Sequence, residues 1–369
     1  MEAFLKKLLD YCEEHVDVDL INKKIEKQKQ CLSFQNVDTP CVRISYNHPN
    51  FPYFSVEEIH QDMAKMMYNE IVSCLPQIET NDGGIPMIRA NYGVGILPSV
   101  FGAKCQIING NMPWCEHLTK DELKKLISAG IPSPENGFGK RVKETYAFYK
   151  EMLSQYPKCN QAIKFYHPDY QGPFDIAHLL FGSDIYMEIY DDPDFIHELL
   201  EFVCDTYINC MNDIKPYLND EIDGFVYHWH HLYPGKVVLR DDSAVNLSPA
   251  MYEEFVKPYN DKILKTFGCG SMHFCGRADH WVFDMARDEN IKAYNVGYMG
   301  NLVFGQEYLD FIKPGYYDNK KPVVGYVLSR NDIVNFNFKK YITGMTYNVS
   351  ASNMFDAEEV IKKIEGSVK

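Results

Sequence analysis

Residues 236–276 read KVVLRDDSAVNLSPAMYEEFVKPYNDKILKTFGCGSMHFCG and contain one complete strand–helix–strand unit. The runs KVVLRDD and SMHFCG are rich in residues that favour strands, and each is bounded by turn residues. Between them, Ser248 and Pro249 match the N-cap and the first position of a helix, and Gly268 matches the position just past its end. A helix that joins two such strands predicts a parallel sheet covered by helices.

The same alternation of strand and helix extends over the chain from residue 85 onwards. The further predicted strands are IPMIRANY (85–92), AKCQIIN (103–109), AIKFYHPDY (162–170), GFVYHWHH (224–231), IKAYNVG (291–297), PVVGYV (322–327) and YITGMTYNV (341–349). About eight strand–helix units in roughly 290 residues fit a (β/α)8 barrel better than a doubly wound sheet. We therefore predict an α/β fold, with an N-terminal helical extension over residues 1–80 and a (β/α)8 TIM-type barrel over residues 81–369.

Composition and charge limit the classes of partner. The chain of 369 residues carries 37 Lys and Arg against 51 Asp and Glu, a formal net charge of −14. Nucleic acids and anionic membranes are bound by clustered basic residues, so neither is expected as a partner.

No apolar run approaches the ~20 residues that span a bilayer. The eleven cysteines include no CxxC pair and are typical of reduced thiols. We expect a cytoplasmic protein that binds a small molecule, and homodimerisation stays open.

Polar residues occur where the predicted strands end, and in TIM-type barrels the chemistry lies at the C-terminal ends of the strands. The candidate substrate-binding residues are Arg89, Asn91, Tyr92, His167, Gln171 and Asn348. The candidate catalytic residues are His228, His230, Asp241, Asp242 and Tyr347. Alternation along the strand predicts that His228 and His230 share one face, where they could form an acid–base pair or a metal pair.

His273 and Cys275 are two residues apart in a predicted strand, so their side chains point to the same side. An imidazole beside a thiolate supplies half of a zinc site, and a catalytic zinc needs three protein ligands and one open position. The alternative is a buried histidine that is hydrogen-bonded in the core beside an inert thiol.

Residues 240–276 resemble the uroporphyrinogen decarboxylase superfamily, which includes zinc-dependent, corrinoid-linked methyltransferases. The shared features are an acidic strand end, a Ser-Pro pair that opens a helix, and a next strand that reads H-x-C-G. The segment YQGPF (170–174) resembles a Gly-Pro segment of the same family. The resemblance covers residues 85–369 and implies a TIM-type barrel with its site at the strand C-termini.

The resemblance is nearer to the methyltransferase branch, in which His273 and Cys275 correspond to two zinc ligands. That branch implies transfer of a methyl group from a small methylated substrate, such as a methoxyaromatic compound, to a corrinoid carried by a partner protein. Its third zinc ligand is a cysteine near the C-terminus, but no cysteine follows Cys275 in this sequence. The candidate replacement ligands are His228, His230, Asp242 and Glu307. The candidate proton donors to the leaving heteroatom are His228, His230, Asp241 and Tyr347.

Two alternatives stay open. The first is a lyase on a carboxylated substrate, like the tetrapyrrole decarboxylase of the same superfamily. Against it, residues 1–80 contain a single arginine, Arg43, where that enzyme has an arginine-rich segment. The second is a barrel repurposed to bind a ligand without catalysis, which the missing cysteine favours.

Overall fold

The computed structural model describes residues 2–297 and 304–368, over which helices and strands alternate. The strands are β1 (Cys41–Ser45), β2 (Met87–Ile88), β3 (Cys105–Gln106), β4 (Trp114–Cys115), β5 (Lys164–Phe165), β6 (Glu221–Ile222), β7 (Phe225–His228), β8 (His231–Pro234), β9 (Val238–Arg240), β10 (Gly270–Cys275), β11 (Ile291–Gly297), β12 (Val323–Val327) and β13 (Met345–Ser350). The helices of the first half are α1 (Ala3–His15), α2 (Val18–Leu32), α3 (Val56–Gln61), α4 (Met63–Val72), α5 (Leu75–Glu79), α6 (Ile96–Val100), α7 (Lys120–Ala129), α8 (Gly139–Leu153), α9 (Pro157–Ala162) and α10 (Pro173–Phe181). Those of the second half are α11 (Ile185–Asp191), α12 (Pro193–Ile214), α13 (Pro249–Phe255), α14 (Lys257–Phe267), α15 (Val282–Ala286), α16 (Gly305–Ile312), α17 (Asp332–Asn335) and α18 (Met354–Val368).

Six strands form the main sheet, in the order β1-β13-β12-β11-β10-β9, and every neighbouring pair is parallel. β2 and β5 form a second parallel pair. The predicted α/β class with a parallel sheet is therefore confirmed. Since the strands of the main sheet run the same way, their carboxyl ends lie at one edge, where open α/β sheets and barrels bind ligands. None of the described helices has the length and apolar character needed to cross a lipid bilayer.

The N-terminal region contributes a strand to the main sheet, which the sequence pattern did not predict. β1 pairs with β13 in parallel, from Cys41 opposite Thr346 to Ser45 opposite Ser350. Lys24 of α2 is buried and donates hydrogen bonds to Asp82 and to the carbonyls of Gln77 and Thr80. The helices of this region thus pack directly on the sheet, and the division at residue 80 stays a prediction.

Two predicted strands belong to antiparallel hairpins instead of the parallel sheet. β3 pairs with β4 in an antiparallel hairpin, and β7 pairs with β8 in another. β7 ends at His228, and the chain reverses through Trp229 and His230, whose φ angles of 44° and 65° lie in the left-handed region. The prediction that His228 and His230 share a strand face is therefore wrong, because a turn separates them.

His60 of α3 gives the fold a specific acid sensitivity. Its ring is buried against Tyr92, at 5.3 Å between ring centroids. Burial, assisted by the charge of Arg141, lowers the pKa of His60 to about 4. The unfolded pKa is about 6.5, so the unfolded chain takes up the proton first as the pH falls. The stability that depends on neutral His60 is fully present above pH ~6.5 and is lost progressively as the pH falls from ~6.5 to ~4.

We expect the free energy of unfolding to fall between pH 7 and pH 4.5 by about 2 kcal/mol more in the wild type than in His60→Phe. Urea denaturation at the two pH values measures this difference. Equal losses in the two proteins would show that His60 does not control the acid response.

Candidate metal centre

Three side chains of metal-ligand type converge at the carboxyl ends of β9 and β10. Asp242 lies just after β9, and His273 and Cys275 lie on one face of β10. Nε2 of His273 is 3.2 Å from Oδ1 of Asp242 and 3.3 Å from Sγ of Cys275. The three ligand atoms lie within 4.8 Å of one another. Of the four candidate replacement ligands, Asp242 is the one that the structure brings to His273 and Cys275.

Backbone hydrogen bonds fix Asp242 in this position. Its Oδ1 accepts the N–H of Cys275 at 2.7 Å. The carboxylate of Asp175, near the start of α10, accepts the N–H groups of Asp242 and Ser243 at 2.8 and 2.7 Å. Burial raises the pKa of Asp242, but its interactions with His273 and Cys275, including the hydrogen bond from the N–H of Cys275, outweigh burial and hold that pKa below its usual 3.8. Asp242 is therefore a carboxylate, the form that binds metals.

Asn295 of β11 sets the tautomer of His273. Its Nδ2 donates to the carbonyl of Val324 at 2.6 Å, so its Oδ1 faces Nδ1 of His273 at 2.5 Å. An amide oxygen only accepts, which places the imidazole proton on Nδ1 and leaves a lone pair on Nε2. Such an outer partner is the usual support of a metal-binding histidine. The bare Nε2 faces the Asp242 carboxylate, an arrangement that is favourable when a metal ion or a proton lies between the two.

The residues fit a zinc ion in donor type and in space. An imidazole, a thiolate and a carboxylate are all zinc ligands, and a tetrahedral site has N–O and N–S edges of about 3.4 and 3.6 Å. The observed 3.2 and 3.3 Å need only a small expansion. Gly297 leaves the space for it, because a Cβ there would lie 2.6 Å from Sγ of Cys275 and 2.7 Å from Cε1 of His273.

Replacing Asn295 by alanine is expected to weaken zinc affinity about 10- to 100-fold, the usual cost of losing an outer partner of a ligand. The reason is that Nδ1 of His273 then loses the acceptor that fixes its tautomer. Competition with a chromogenic chelator measures the affinity. Asn348→Ala is the matched control, since Asn348 bonds His231 and Gly325 instead of His273. Equal affinities in the two variants would contradict the role of Asn295.

His273 and Cys275 open onto a cavity of about 610 Å³. Its walls combine aromatic rings with a few polar groups. The other lining residues are Arg43, Tyr166, Trp229, His230, Tyr233, Asn295, Val296, Gly297, Gly325, Val327 and Asn348. A cavity of this size and composition suits a small, flat organic molecule.

Two of the other sequence-predicted site residues line this cavity. His230 sits at the hairpin turn, and its Nδ1 is 3.1 Å from the carbonyl of Ile85. A carbonyl only accepts, so Nδ1 carries the proton and Nε2 is the free ring nitrogen. Asn348 of β13 lies beside it in the wall and bonds His231 and the carbonyl of Gly325.

A second cluster, around Asp169, contains two predicted substrate-binding residues, Arg89 and Gln171, and the predicted catalytic residue His228. Asp169 forms ion pairs with Arg240 and, at 3.4 Å, with Arg89, and it accepts a hydrogen bond from Gln171 at 2.7 Å. Nη2 of Arg240 is 2.9 Å from Nε2 of His228, so this nitrogen is an acceptor. The cluster borders the cavity through Trp229, whose ring lies 4.5 Å from the Arg240 guanidinium.

The remaining predicted site residues lie among buried partners. His167 packs on His228, with ring centroids 4.4 Å apart. Asn91 donates to Glu70, and the Tyr92 hydroxyl is hydrogen-bonded to Thr145.

Asp241 and Tyr347 also lie away from the cavity wall. Asp241 is fully buried and accepts from Nδ2 of Asn260 at 2.5 Å, while burial raises its pKa to about 7. The Tyr347 hydroxyl donates to the carbonyl of Tyr341. The roles predicted for these two residues stay predictions.

Three residues that shape the site were not predicted from the sequence: Arg43, Asn295 and Trp229. Asn295 could have been found as the one polar side chain inside the buried run of β11. Arg43 is likewise the charged residue of a short strand. Trp229 carried no signal, because a left-handed turn at a tryptophan is not expected from sequence.

No protein-family model matches the chain, and a search of curated proteins finds none with significant similarity. The resemblance to the uroporphyrinogen decarboxylase superfamily thus stays an expectation drawn from motifs, and the case for a function comes from the residues of the site.

Proposed function

We propose that this protein is a zinc-dependent methyltransferase that moves a methyl group from a small methylated compound to a corrinoid on a partner protein. The observation that supports it best is the Asp242–His273–Cys275 group at the edge of the cavity. Three protein ligands with a fourth side open to a substrate cavity are the pattern of a catalytic zinc, whereas structural zinc sites are closed by four.

We further propose that the parallel strands form a (β/α)8 barrel, in the chain order β1, β2, β5, β9, β10, β11, β12 and β13. The pairing of β1 with β13 joins the first and last of these strands. The N–H of Gly83, just before β2, donates to Val42 of β1 at 2.6 Å. The N–H of Gly172, in the loop after β5, donates to Arg240 of β9 at 2.7 Å. These contacts connect the β2–β5 pair to both edges of the six-stranded sheet, and they support a closed barrel.

In this proposal Asp242, His273 and Cys275 hold the zinc ion. When bound, the ion supplies a Lewis acid to the heteroatom that loses its methyl group. The rings of Tyr166, Trp229 and Tyr233 pack on the substrate and exclude water from the reacting bond. As the bond from carbon to heteroatom breaks, the methyl group passes to the corrinoid and the heteroatom takes up a proton. That proton comes from solvent as the product is released. His230 lines the same cavity with Nε2 as a free acceptor, because Nδ1 holds the ring proton against the carbonyl of Ile85 and burial keeps the pKa of His230 well below 6.5.

The experiment combines metal analysis with a transfer assay. Protein purified without added metal is expected to contain one zinc per chain. With reduced cobalamin as acceptor and 4-methoxybenzoate or methylamine as donor, we expect the absorption spectrum of methylcobalamin and the demethylated product. Zinc-loaded protein that methylates no cobalamin with methoxyaromatics or methylamines would overturn the proposal.

One observation favours a second candidate, a metal-independent lyase on a carboxylated substrate. Without a metal, Nε2 of His273 lies 3.2 Å from a carboxylate oxygen of Asp242, and a proton can pass between two groups at this distance. Protein that contains no metal, and takes up none when zinc is added, would favour this candidate or a ligand-binding barrel without catalysis.

A further inference from the structure

Arg43 is a cation without a partner in the wall of the cavity. It occupies the middle of β1, opposite Asn348 of β13, and is half-buried. Within residues 2–297 and 304–368 its guanidinium makes no hydrogen bond or ion pair, and its Nε is buried without any acceptor. A guanidinium nitrogen that is removed from water without an acceptor is costly, so the presence of Arg43 at this position requires a reason.

Asp82 is the carboxylate whose charge acts on Arg43, and four other donors already occupy its two oxygens. Oδ1 of Asp82 accepts from Nζ of Lys24 at 3.0 Å and from the N–H of Gly84 at 3.1 Å. Oδ2 of Asp82 accepts from the N–H of Ile44 at 2.8 Å and from Nε2 of Gln77 at 3.0 Å. Asp82 therefore pairs directly with Lys24 and acts on Arg43 only through space, so within the described residues Arg43 has no carboxylate bound to it.

Among the described residues that line the cavity, none is a carboxylate and Arg43 is the one with a permanent charge; the others are aromatic, aliphatic, amide, imidazole or thiol groups. The carboxylate at the edge of the cavity, Asp242, is 3.2 Å from His273 and belongs to the metal-ligand group. In a chain of net charge −14, a lone cation that faces a cavity is an anion-binding feature.

We propose that Arg43 binds the carboxylate of the substrate, so that the substrate class is a small methylated carboxylic acid with a flat ring. This inference rests on the proposed function and narrows its substrate. One guanidinium matches one monoanion by a bidentate pair. A phosphate monoester carries nearly two charges at neutral pH and would leave one of them unpaired in the cavity. The rings of Tyr166, Trp229 and Tyr233 suit the flat body of an aromatic acid.

Isothermal titration with benzoate, benzamide and phenyl phosphate tests the proposal, because these probes carry no methyl group to transfer. Wild-type protein is expected to bind benzoate at least about tenfold more tightly than its neutral analogue benzamide. In Arg43→Gln this preference is expected to disappear, and in Arg43→Lys to be partly kept. Arg287→Gln removes an exposed arginine as the matched control and is expected to keep the full preference.

Three results would overturn the proposal. They are equal binding of benzoate and benzamide by the wild type, an unchanged preference in Arg43→Gln, and tighter binding of phenyl phosphate than of benzoate. Should Arg43→Gln fail to fold, the wild-type comparison and Arg43→Lys decide the question. Repeating the titrations after zinc removal separates this inference from the proposed function. An Arg43-dependent preference without any methyl transfer would overturn only the methyltransferase.

The stability of the free protein gives a second readout. Removing an unpaired buried charge relieves its desolvation cost, so the thermal midpoint of Arg43→Gln without ligand is expected to be equal to or above that of the wild type. Benzoate is expected to raise the midpoint of the wild type and not that of the variant. A lower midpoint in the variant, with the benzoate preference kept, would show that Arg43 is structural.

Discussion

Replacing Cys275 with serine is expected to remove zinc from the protein and to abolish methyl transfer. Sγ of Cys275 lies 3.3 Å from Nε2 of His273, and the thiolate is the softest donor of the three. A serine hydroxyl keeps the shape of the side chain but is a poor zinc ligand at neutral pH. Zinc affinity should therefore fall by more than the roughly 100-fold that the loss of an outer partner costs at most.

Mass spectrometry of the purified proteins, followed by chelator competition, measures this effect. Cys269→Ser is the matched control, because Cys269 is also half-buried and immediately precedes β10 but does not belong to the triad. The control is expected to keep one zinc per chain and full activity. Zinc retained in Cys275→Ser at wild-type affinity would show that the metal binds elsewhere.

The fold was predictable where hydrophobic runs and helix caps agree. The five strands from β9 to β13 each overlap a run that the sequence identifies, and β10 and β13 extend beyond their runs by one residue each. They were predictable because each is a buried, Val- or aromatic-rich segment between turn residues. β1 was not predicted, because CVRIS is short and carries Arg43 and Ser45 among its apolar residues. The hairpin of β7 and β8 was not predicted, because its turn has Trp229 and His230 at positive φ and contains no Gly or Asn, the residues that indicate such a turn in a sequence.

The site was predictable only where its residues are close in the chain. The spacing of His273 and Cys275 places them on one face by strand geometry alone, which the structure confirms. Asp242 was one of four candidates, and the parallel pairing of β9 with β10 is what selects it. Asn295 and Arg43 reach the site through the register of β11 and of β1, and strand register over such separations is not encoded in any local pattern.

Two neighbouring carboxylates, Asp241 and Asp242, provide the sharpest test of the ligand set. Asp242→Asn is expected to weaken zinc affinity by more than ~100-fold, while Asp241→Asn is expected to keep it within about threefold of the wild type. The two side chains face different surroundings. Oδ1 of Asp242 is 3.2 Å from Nε2 of His273, whereas Oδ2 of Asp241 faces Asn260 in the core.

Asparagine is a fair probe at both positions because it keeps the local hydrogen bonds. At 242 its amide oxygen can still accept the N–H of Cys275, so the loop is held while the metal-binding charge is lost. At 241 its oxygen can still accept from Asn260. Burial already raises the pKa of Asp241 to about 7, so a neutral side chain there is a small change near neutral pH.

Zinc content and chelator competition measure the zinc affinity of the two variants, and urea denaturation checks that both are folded. If Asp241→Asn lost the metal and Asp242→Asn kept it, the assignment of the third ligand would be wrong. If both kept it at wild-type affinity, His273 and Cys275 would bind zinc with a ligand other than either aspartate. The expected contrast between two aspartates adjacent in the chain would place the metal at the strand edge, where the ionised Asp242 faces His273, and not in the core, where Asp241 faces Asn260.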